Sequence, residues 1–446
     1  MALANGGLAL LLPTRHANFF STLLQIPSPV LLGYHHWAGL ASFIHATAHF
    51  SLTAQRYIHS EQFSVVLENA RIRVGIFAWI CLALVFLTAA LPILRRKGFE
   101  VFFFTHFLFL GFVAGGFYHV FSTDSTTETT DNTAGFEFFF PGLGLWVIDR
   151  LWRAWDNFGR GKKVLVKKVR FYGTGLTKIW FVGVKIPRPG MMVWVQIPNV
   201  SKWNWHPFTV LASSPDEEQG GMIAVRGLGG FTKRVQLMDG EHEAGVEKDG
   251  RTENTFKIRL DGPYGVGNPR WTLTPVVVLV AGGIGITPGI SIASHIVHEA
   301  ARLGSSGSKR QVYLLWAVSH LSHARWFESE LKALAEVASR DDVLVSLNIT
   351  IHVTNRGKTA SQEEHIQGIA ETKTETDGRY MGPGEIHTGR PDILQWFQQV
   401  RELTGASDVA VNACGPQSLK DDARKAAVRV SSGKGLFFVH EEVFEL

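Results

Sequence analysis

Four histidines in two apolar segments carry the first chemical signal. His35 and His49 stand 14 positions apart, and His106 and His119 stand 13 apart. A neutral imidazole is a good axial ligand for haem iron and costs far less to bury than a charge. At about 1.5 Å of rise per residue, either spacing separates two ligands by roughly 20 Å along a helix. One histidine near each end of two adjacent spans would hold two haems, one above the other, an arrangement that moves electrons across a bilayer.

The same region holds His16, His36, His45 and His59, so the choice among histidines rests on helix phase. Residues 14 apart return to within about 40° of the same face at 100° per residue, whereas residues 13 apart fall about 140° away. This favours His35 over His36 as the partner of His49. By the same rule His106 and His119 miss one another's face unless the helix is bent, and Gly115-Gly116 is the expected place for the bend. His45 is on roughly the right side, but its depth matches no partner. Polar groups in lipid are expensive and usually functional, so four histidines at matched depths weigh against a mere packing role.

The elements that must position them follow from hydropathy. The chain has 446 residues, 46% of them hydrophobic, with a net charge of +5. Residues 20 to 94 hold few charges, while the chain from 160 onward has the composition of a soluble protein. No basic stretch interleaves with aromatics, so no nucleic-acid surface is expected. The two cysteines, Cys81 and Cys414, lie in different regions and exclude a disulfide framework, a cysteine zinc site and an Fe–S cluster. Four full spans are expected near 31–54, 72–94, 100–121 and 138–157, each close to the roughly 20 residues that a bilayer requires. Leu3–Leu12 reads as half of a membrane helix whose beginning is missing. Arg95-Arg96-Lys97 and the group Arg150, Arg153, Arg160, Lys162 and Lys163 are expected on the cytoplasmic side. Asp124, Glu128, Asp131 and Glu137, with no basic residue among them, face outward. Arg56, Arg71 and Arg73 in the other outer loop oppose this orientation without reversing it. His35 and His106 then lie toward the cytoplasm, and His49 and His119 toward the outside.

Residues 163–272 read as short strands separated by turns, the pattern of a small antiparallel barrel. Within it, His206-Pro207-Phe208-Thr209 is an extended segment able to offer hydrogen bonds to a flat heteroaromatic ring. Gly229-Gly230-Phe231-Thr232, followed by Lys233 and Arg234, lets backbone amides approach a pyrophosphate at the start of a helix. From 275 an apolar strand runs into Gly282-Gly283-Ile284-Gly285-Ile286-Thr287-Pro288 and then a helix-like run. Strand, glycine turn and helix make a dinucleotide phosphate site, although Pro288 departs from the usual fingerprint in its last position. Further apolar strands at 311–318, 343–352 and 408–413 alternate with helical stretches, so the sheet is expected to be parallel. The last ends in Cys414-Gly415-Pro416, a turn at the carboxyl end of a strand, where ligands bind. Residues 356–390 read as a long polar surface loop.

Taken in order, these pieces resemble the ferric reductase transmembrane family, nearest to fungal ferric and cupric metalloreductases, with NADPH oxidases as its other main branch. Tyr34-His35-His36-Trp37-Ala38-Gly39 looks like the start of the first ligand helix, with His49 falling at the second ligand and His106 and His119 on the second ligand helix. Asp149-Arg150 resembles the exit of the last span. His206–Thr209 is similar to the flavin-ring segment and Gly229–Thr232 to the flavin-pyrophosphate loop. Asp261-Gly262-Pro263-Tyr264-Gly265 resembles the link between flavin and nicotinamide domains. Gly282, Gly283, Gly285, Thr287 and Pro288, with Cys414, Gly415 and Pro416, resemble the NADPH-contacting motifs. The terminal Glu441-Glu442-Val443-Phe444 looks like the tail whose aromatic, here Phe444, covers the flavin and gates the nicotinamide. Relatives often carry an arginine where Ser319 stands, with Arg325 and Arg390 as candidates to take its place beside a 2′-phosphate.

The resemblance implies three domains: a transmembrane haem bundle over 1–157, an antiparallel β-barrel FAD domain over 158–272 and a ferredoxin reductase-like α/β NADPH domain over 273–446. It implies NADPH, FAD and two b haems as cofactors. It also implies an integral membrane protein, expected in the plasma membrane with its soluble domains in the cytosol. Ferric or cupric chelates are the expected acceptors, and an iron or copper permease the expected neighbour. An oxidase that forms superoxide from O₂ shares these motifs, and an inactive truncated paralogue is the remaining alternative. The tail, and the lack of a calcium-loop pattern, favour the metalloreductase.

Overall fold

The structure, a computed structural model, describes residues 1–14, 26, 28–122, 137–155, 164–212, 219–238, 256–265, 270–354, 381–405, 407–433 and 435–442. Side chains are described for all of these but Ser28, Pro29, Arg95, Arg96, Lys97 and Phe99. The chain divides into a helical unit, Met1–Trp155, and a second unit, Asp156–Phe444.

The helical unit is built from α1 (Ala2–Leu11), α2 (Ser28–His59), α3 (Ala70–Ala90), α4 (Phe99–His106), α5 (Phe109–Phe121) and α6 (Phe140–Ala154). By length and composition, Ala70–Ala90 and the stretch Glu100–Phe121 suffice to cross a membrane. Their large apolar side chains point outward as well as inward: Phe77 is 54% exposed and Phe104 is 59% exposed. Helices that are apolar all round belong in lipid. Asn69 caps α3 by accepting the amide of Arg71 at 2.8 Å. α3 and α5 meet through glycines spaced four apart. A Cβ on Gly111 would stand 2.9 Å from Cys81 Sγ, and one on Gly115 would stand 3.0 Å from the Ala78 Cβ. Small residues at this spacing let helix backbones come close in lipid, where van der Waals packing replaces the hydrophobic drive.

The helix runs unbroken through Gly115-Gly116, where a bend is expected, and is interrupted instead at Phe107-Leu108, between α4 and α5. There the amides of Phe107 and Leu108 bond to Phe104 and Thr105, three residues back, a tightened turn of 3₁₀ type. Just before it the Thr105 hydroxyl bonds back to the Val101 carbonyl at 2.7 Å, a contact that competes with the helix's own hydrogen bonds. Gly115 is spent on the close approach to α3 rather than on a bend.

The second unit begins with antiparallel strands. β1 (Leu165–Tyr172), β2 (Leu176–Val182), β5 (Leu211–Ala212) and β6 (Gly220–Arg226) form one sheet in the order β1-β2-β6-β5. β3 (Met192–Gln196), β4 (His206–Thr209) and β7 (Arg259–Tyr264) form another in the order β4-β3-β7. Both sheets enclose one core that includes Ile179, Phe181, Val193, Val195, Ile223 and Val225. A short helix, α7 (Gly230–Gln236), closes it with Phe231 and Val235.

The remainder is a six-stranded parallel sheet of β8 (Val276–Gly282), β9 (Arg310–Val318), β10 (Val345–Val353), β11 (Glu385–Thr388), β12 (Val409–Cys414) and β13 (Phe437–Glu442). Its order is β11-β10-β9-β8-β12-β13, and its pairings are parallel as the alternating pattern predicts. Successive residues of β8 enter opposite cores. Val277 and Leu279 face α8 (Ile286–Leu303) and α9 (Glu328–Ala338), while Val276 and Val278 face α10 (Ile393–Thr404) and α11 (Gln417–Val430). A strand covered on both faces must be apolar throughout, which is why β8 reads as an unbroken aliphatic run.

A buried ion pair ties the antiparallel part to the parallel part. Lys178 on β2 is fully buried and donates to Glu330 on α9 at 2.6 Å, with the Phe327 ring centre 4.6 Å from its ammonium. Trp326 Nε1 donates to Thr174 at 2.6 Å beside it. Breaking one side of such a pair strands a charge in a low-dielectric site. Glu330→Ala should therefore cost about 3 kcal/mol of stability, and Lys178→Met combined with Glu330→Leu should recover most of it. Urea unfolding of the full chain in detergent, followed by tryptophan fluorescence, measures both; equal midpoints for the single variant and the wild type would exclude the clamp.

Candidate functional site

The four histidines singled out in the sequence come together in pairs. His35 on α2 and His106 at the end of α4 have ring centres 5.9 Å apart. His49 and His119 have ring centres 6.3 Å apart. Two imidazoles on opposite sides of one metal ion, each bonded at about 2 Å, bring their ring centres to about 6 Å. The spacing of both pairs thus fits a bis-imidazole iron. In each pair one ring is held from behind. His35 Nδ1 is 2.7 Å from the Ala9 carbonyl on α1, and His119 Nδ1 is 2.9 Å from the Arg71 carbonyl on α3. A ligating histidine commonly donates its second ring nitrogen in this way, which fixes the tautomer and leaves Nε2 for the metal. His106 Nδ1 is buried with no hydrogen-bond partner. His36 turns toward Trp37 and His45 bonds to the Ala41 carbonyl of its own helix, so neither ring joins a pair.

In the second unit two expected flavin segments meet. The His206 ring stacks on Phe231, with centres 4.2 Å apart and planes 25° apart. Strand β4, which carries Pro207, Phe208 and Thr209, thereby sits against the turn that starts α7. Thr209 Oγ1 is buried without a hydrogen-bond partner, a group that calls for an explanation such as a ligand. At the glycine turn the Thr232 hydroxyl takes up the amides of Leu228 and Gly229, so those two donors are spent on the loop itself. Gly230 has φ +40° and open space beside it, leaving an approach for an anionic group. Asp261 in the linking segment is buried and accepts from the Tyr264 hydroxyl at 2.5 Å.

The two nicotinamide motifs lie on adjacent strands, β8 and β12, where the strand order reverses. Ligands bind at the carboxyl ends of strands at such a switch point. The turns interlock: a Cβ on Gly285 would stand 2.7 Å from the Cys414 carbonyl oxygen, and one on Gly415, with φ +145°, would stand 2.9 Å from Gly282. Pro416 crowds Gly282 from the other side. Thr287 and Pro288 are buried in the first turn of α8 and Gly285 is buried before them, while Gly282 and Gly283 are half-buried. Arg226 went unnoticed in the sequence because it belongs to no motif. It extends from β6 to within 3.1 Å of where a Gly283 Cβ would be and lies 5.4 Å over the Trp326 ring. Burial and then Arg226 lower the His323 pKa to about 4, so this imidazole is neutral at physiological pH. Ser319 bonds to it at 3.3 Å. Val443 and Phe444 lie outside the described residues, while Glu442 ends β13 beside Cys414.

A helical unit with paired histidines, joined in one chain to antiparallel sheets and a parallel nucleotide-type sheet, defines a membrane redox architecture. Three family models match in that order: a ferric reductase-like transmembrane component over residues 1–117, an FAD-binding domain over 162–268 and a ferric reductase NAD-binding domain over 274–428. The chain belongs to the ferric reductase family, whose homologues include ferric reduction oxidases and NADPH oxidases. It is 25% identical to ferric reduction oxidase 8, mitochondrial, of Arabidopsis thaliana, over 90% of this chain and 53% of that protein. It is 24% identical to NADPH oxidase 1 of Mus musculus, over 83% of this chain and 66% of that protein. The chain thus spans between about half and two thirds of the length of these relatives. Among solved structures it is similar to a ferredoxin NADP⁺ reductase from Neisseria gonorrhoeae, with 13% identity, a TM-score of 0.39, and coverage of 63% of this chain and 98% of that one. FAD-binding and NAD-binding domains are therefore present, and the transmembrane family to which the helical unit belongs binds haem.

Burial raises the Cys414 thiol well above its ordinary pKa, the Glu442 carboxylate adds to the rise, and Lys420 partly offsets it. A raised pKa keeps the proton on sulfur below it, and the thiolate is the reactive form. Cys414 should resist iodoacetamide between about pH 6 and about pH 9 in the folded chain and react only on unfolding. Peptide mass spectrometry reads this directly, and rapid alkylation of the native protein at pH 8 would contradict it.

Proposed function

We propose that the chain is a transmembrane metalloreductase that moves electrons from cytosolic NADPH to Fe(III) or Cu(II) chelates on the far side of the membrane, most readily the plasma membrane. When bound, nicotinamide supplies a hydride, flavin divides its two electrons, and haem iron takes them one at a time. The observation that carries the reading is the pair of histidine pairs, at 5.9 Å and 6.3 Å, with one ring of each fixed by a carbonyl. His35 and His106 would hold the inner haem, and His49 and His119 the outer one. The segment His206–Thr209 would orient the flavin ring and Gly229–Thr232 would receive its pyrophosphate, since the His206–Phe231 stack joins them. Gly282, Gly283 and Gly285, facing Cys414, Gly415 and Pro416, would admit the nicotinamide nucleotide between β8 and β12. Phe444 would cover the flavin until nicotinamide arrives. Arg226 and the neutral His323 beside Ser319 offer a donor set for the nucleotide at the end of β9, which supports NADPH. The lipid bilayer is the necessary partner, and an iron or copper permease is the neighbour that would consume the product.

A second reading, O₂ as acceptor, is favoured by the relatives named NADPH oxidase and dual oxidase. NADPH-driven reduction of a ferric chelate by membranes holding the full chain separates the two. We expect reduction that superoxide dismutase leaves unchanged. Suppression by the dismutase would make superoxide the carrier, and activity no higher than in control membranes would leave the inactive-paralogue reading. His49→Ala should remove one of two haems and abolish transmembrane transfer; transfer that persists would overturn the ligand assignment.

A further inference from the structure

His119 is held at more points than the other three histidines, and the residues that hold it lie on one turn of α3. Arg71 acts twice. Its carbonyl lies 2.9 Å from His119 Nδ1, and its side-chain Nε donates to the His119 carbonyl at 2.6 Å. Four residues further on, Gly75 leaves room for the ring itself. A Cβ there would stand 2.5 Å from His119 Nδ1, 2.8 Å from Cε1 and 2.9 Å from Cγ. Residues four apart share a helix face, so one stripe of α3 supplies the acceptor, the clamp on the backbone and the flat surface against which the imidazole lies. The partner ring, His49, is exposed on α2.

We propose that Arg71 and Gly75 are positioning residues that fix the ring plane and tautomer of His119, making it the rigid member of its pair. The inference rests on the haem-ligand reading and adds to it two residues that carry no metal-binding chemistry of their own. Carbonyl partners of this kind orient a ligating imidazole and tune the metal behind it. A Cβ at position 75 cannot be accommodated without swinging the ring, which breaks the Nδ1 contact with Arg71. Replacing the guanidinium frees the His119 backbone but leaves the carbonyl acceptor in place.

The test uses the full chain purified in detergent, with haem-to-protein ratio, electron paramagnetic resonance and redox titration as readouts. In Gly75→Ala one haem should change its spectrum and midpoint, or be lost so that the ratio falls from two toward one, while the other haem stays as in the wild type. Arg71→Gln adds no atom between the helices, so it gives a second route if Gly75→Ala does not accumulate, and it should alter the same single haem. Gly144→Ala adds a methyl on α6 with no neighbour within 4 Å, and should leave both haem signals unchanged. Wild-type spectra and midpoints in both Gly75→Ala and Arg71→Gln would overturn the proposal, as would an equal disturbance in Gly144→Ala. His119→Ala separates the two levels: if it retains two haems, the ligand reading fails and the clasp fails with it.

Discussion

Both units of this chain depend on backbones meeting where no Cβ stands between them. In the helical unit Gly111 and Gly115 bring α5 against α3, and Gly7 sits against Gly142 between α1 and α6. In the second unit Gly282, Gly285 and Gly415 let the ends of β8 and β12 interlock. The cost of glycine in a helix is roughly 0.5–1 kcal/mol relative to alanine, and it is offset only where close approach gains contacts. Here those contacts set the distances that the chemistry needs. The α3–α5 approach places His119 beside Arg71, and the β8–β12 approach aligns two ligand-binding turns.

The two halves of the second unit show how a sheet and an ion pair divide the labour of positioning. Apolar burial on both faces of the parallel sheet fixes strand order and register, but burial is non-directional and does not orient the antiparallel part against it. Directional groups do that. Lys178 and Glu330 are joined inside a cage of Tyr172, Trp180 and Phe327, and Trp326 reaches Thr174. The same short segment around Trp326 also supports Arg226 above the glycine turn. Docking of the two parts and shaping of the nucleotide crevice are thus one set of contacts.

Much of this was legible in the sequence, and the failures have physical causes. The parallel sheet announced itself because strands covered on both faces are unbroken aliphatic runs, as in Val276–Val280. β11 and β13 did not, since edge strands carry polar residues such as Glu385, His387 and Glu442. The pairing of His35 with His49 along one face follows from helix phase, but between His106 and His119 the helix carries a tightened turn at Phe107-Leu108 that no glycine marks. Thr105 beside it has a hydroxyl that competes for helix carbonyls, and threonine in an apolar span gives no unique signal. Arg226 was invisible for a different reason: it reaches the glycine turn only through tertiary contact.

The ties behind the histidines link site and fold most closely. His35 bonds to a carbonyl of α1 and His119 to a carbonyl of α3, so each tie crosses from the histidine's own helix to a neighbour. A ring held in this way takes its orientation from how two helices pack, not from its own rotamer preference. Sequence spacing can place a histidine at a given depth, yet ring orientation belongs to the helix pair. The tied rings are diagonal, one on α2 and one on α5, so each histidine pair joins a ring set by packing to a ring left to adjust. That asymmetry lets one helix pair define the axis of a ligand site while its partner accommodates what enters, and it explains why glycines far from any motif can govern the chemistry of the site.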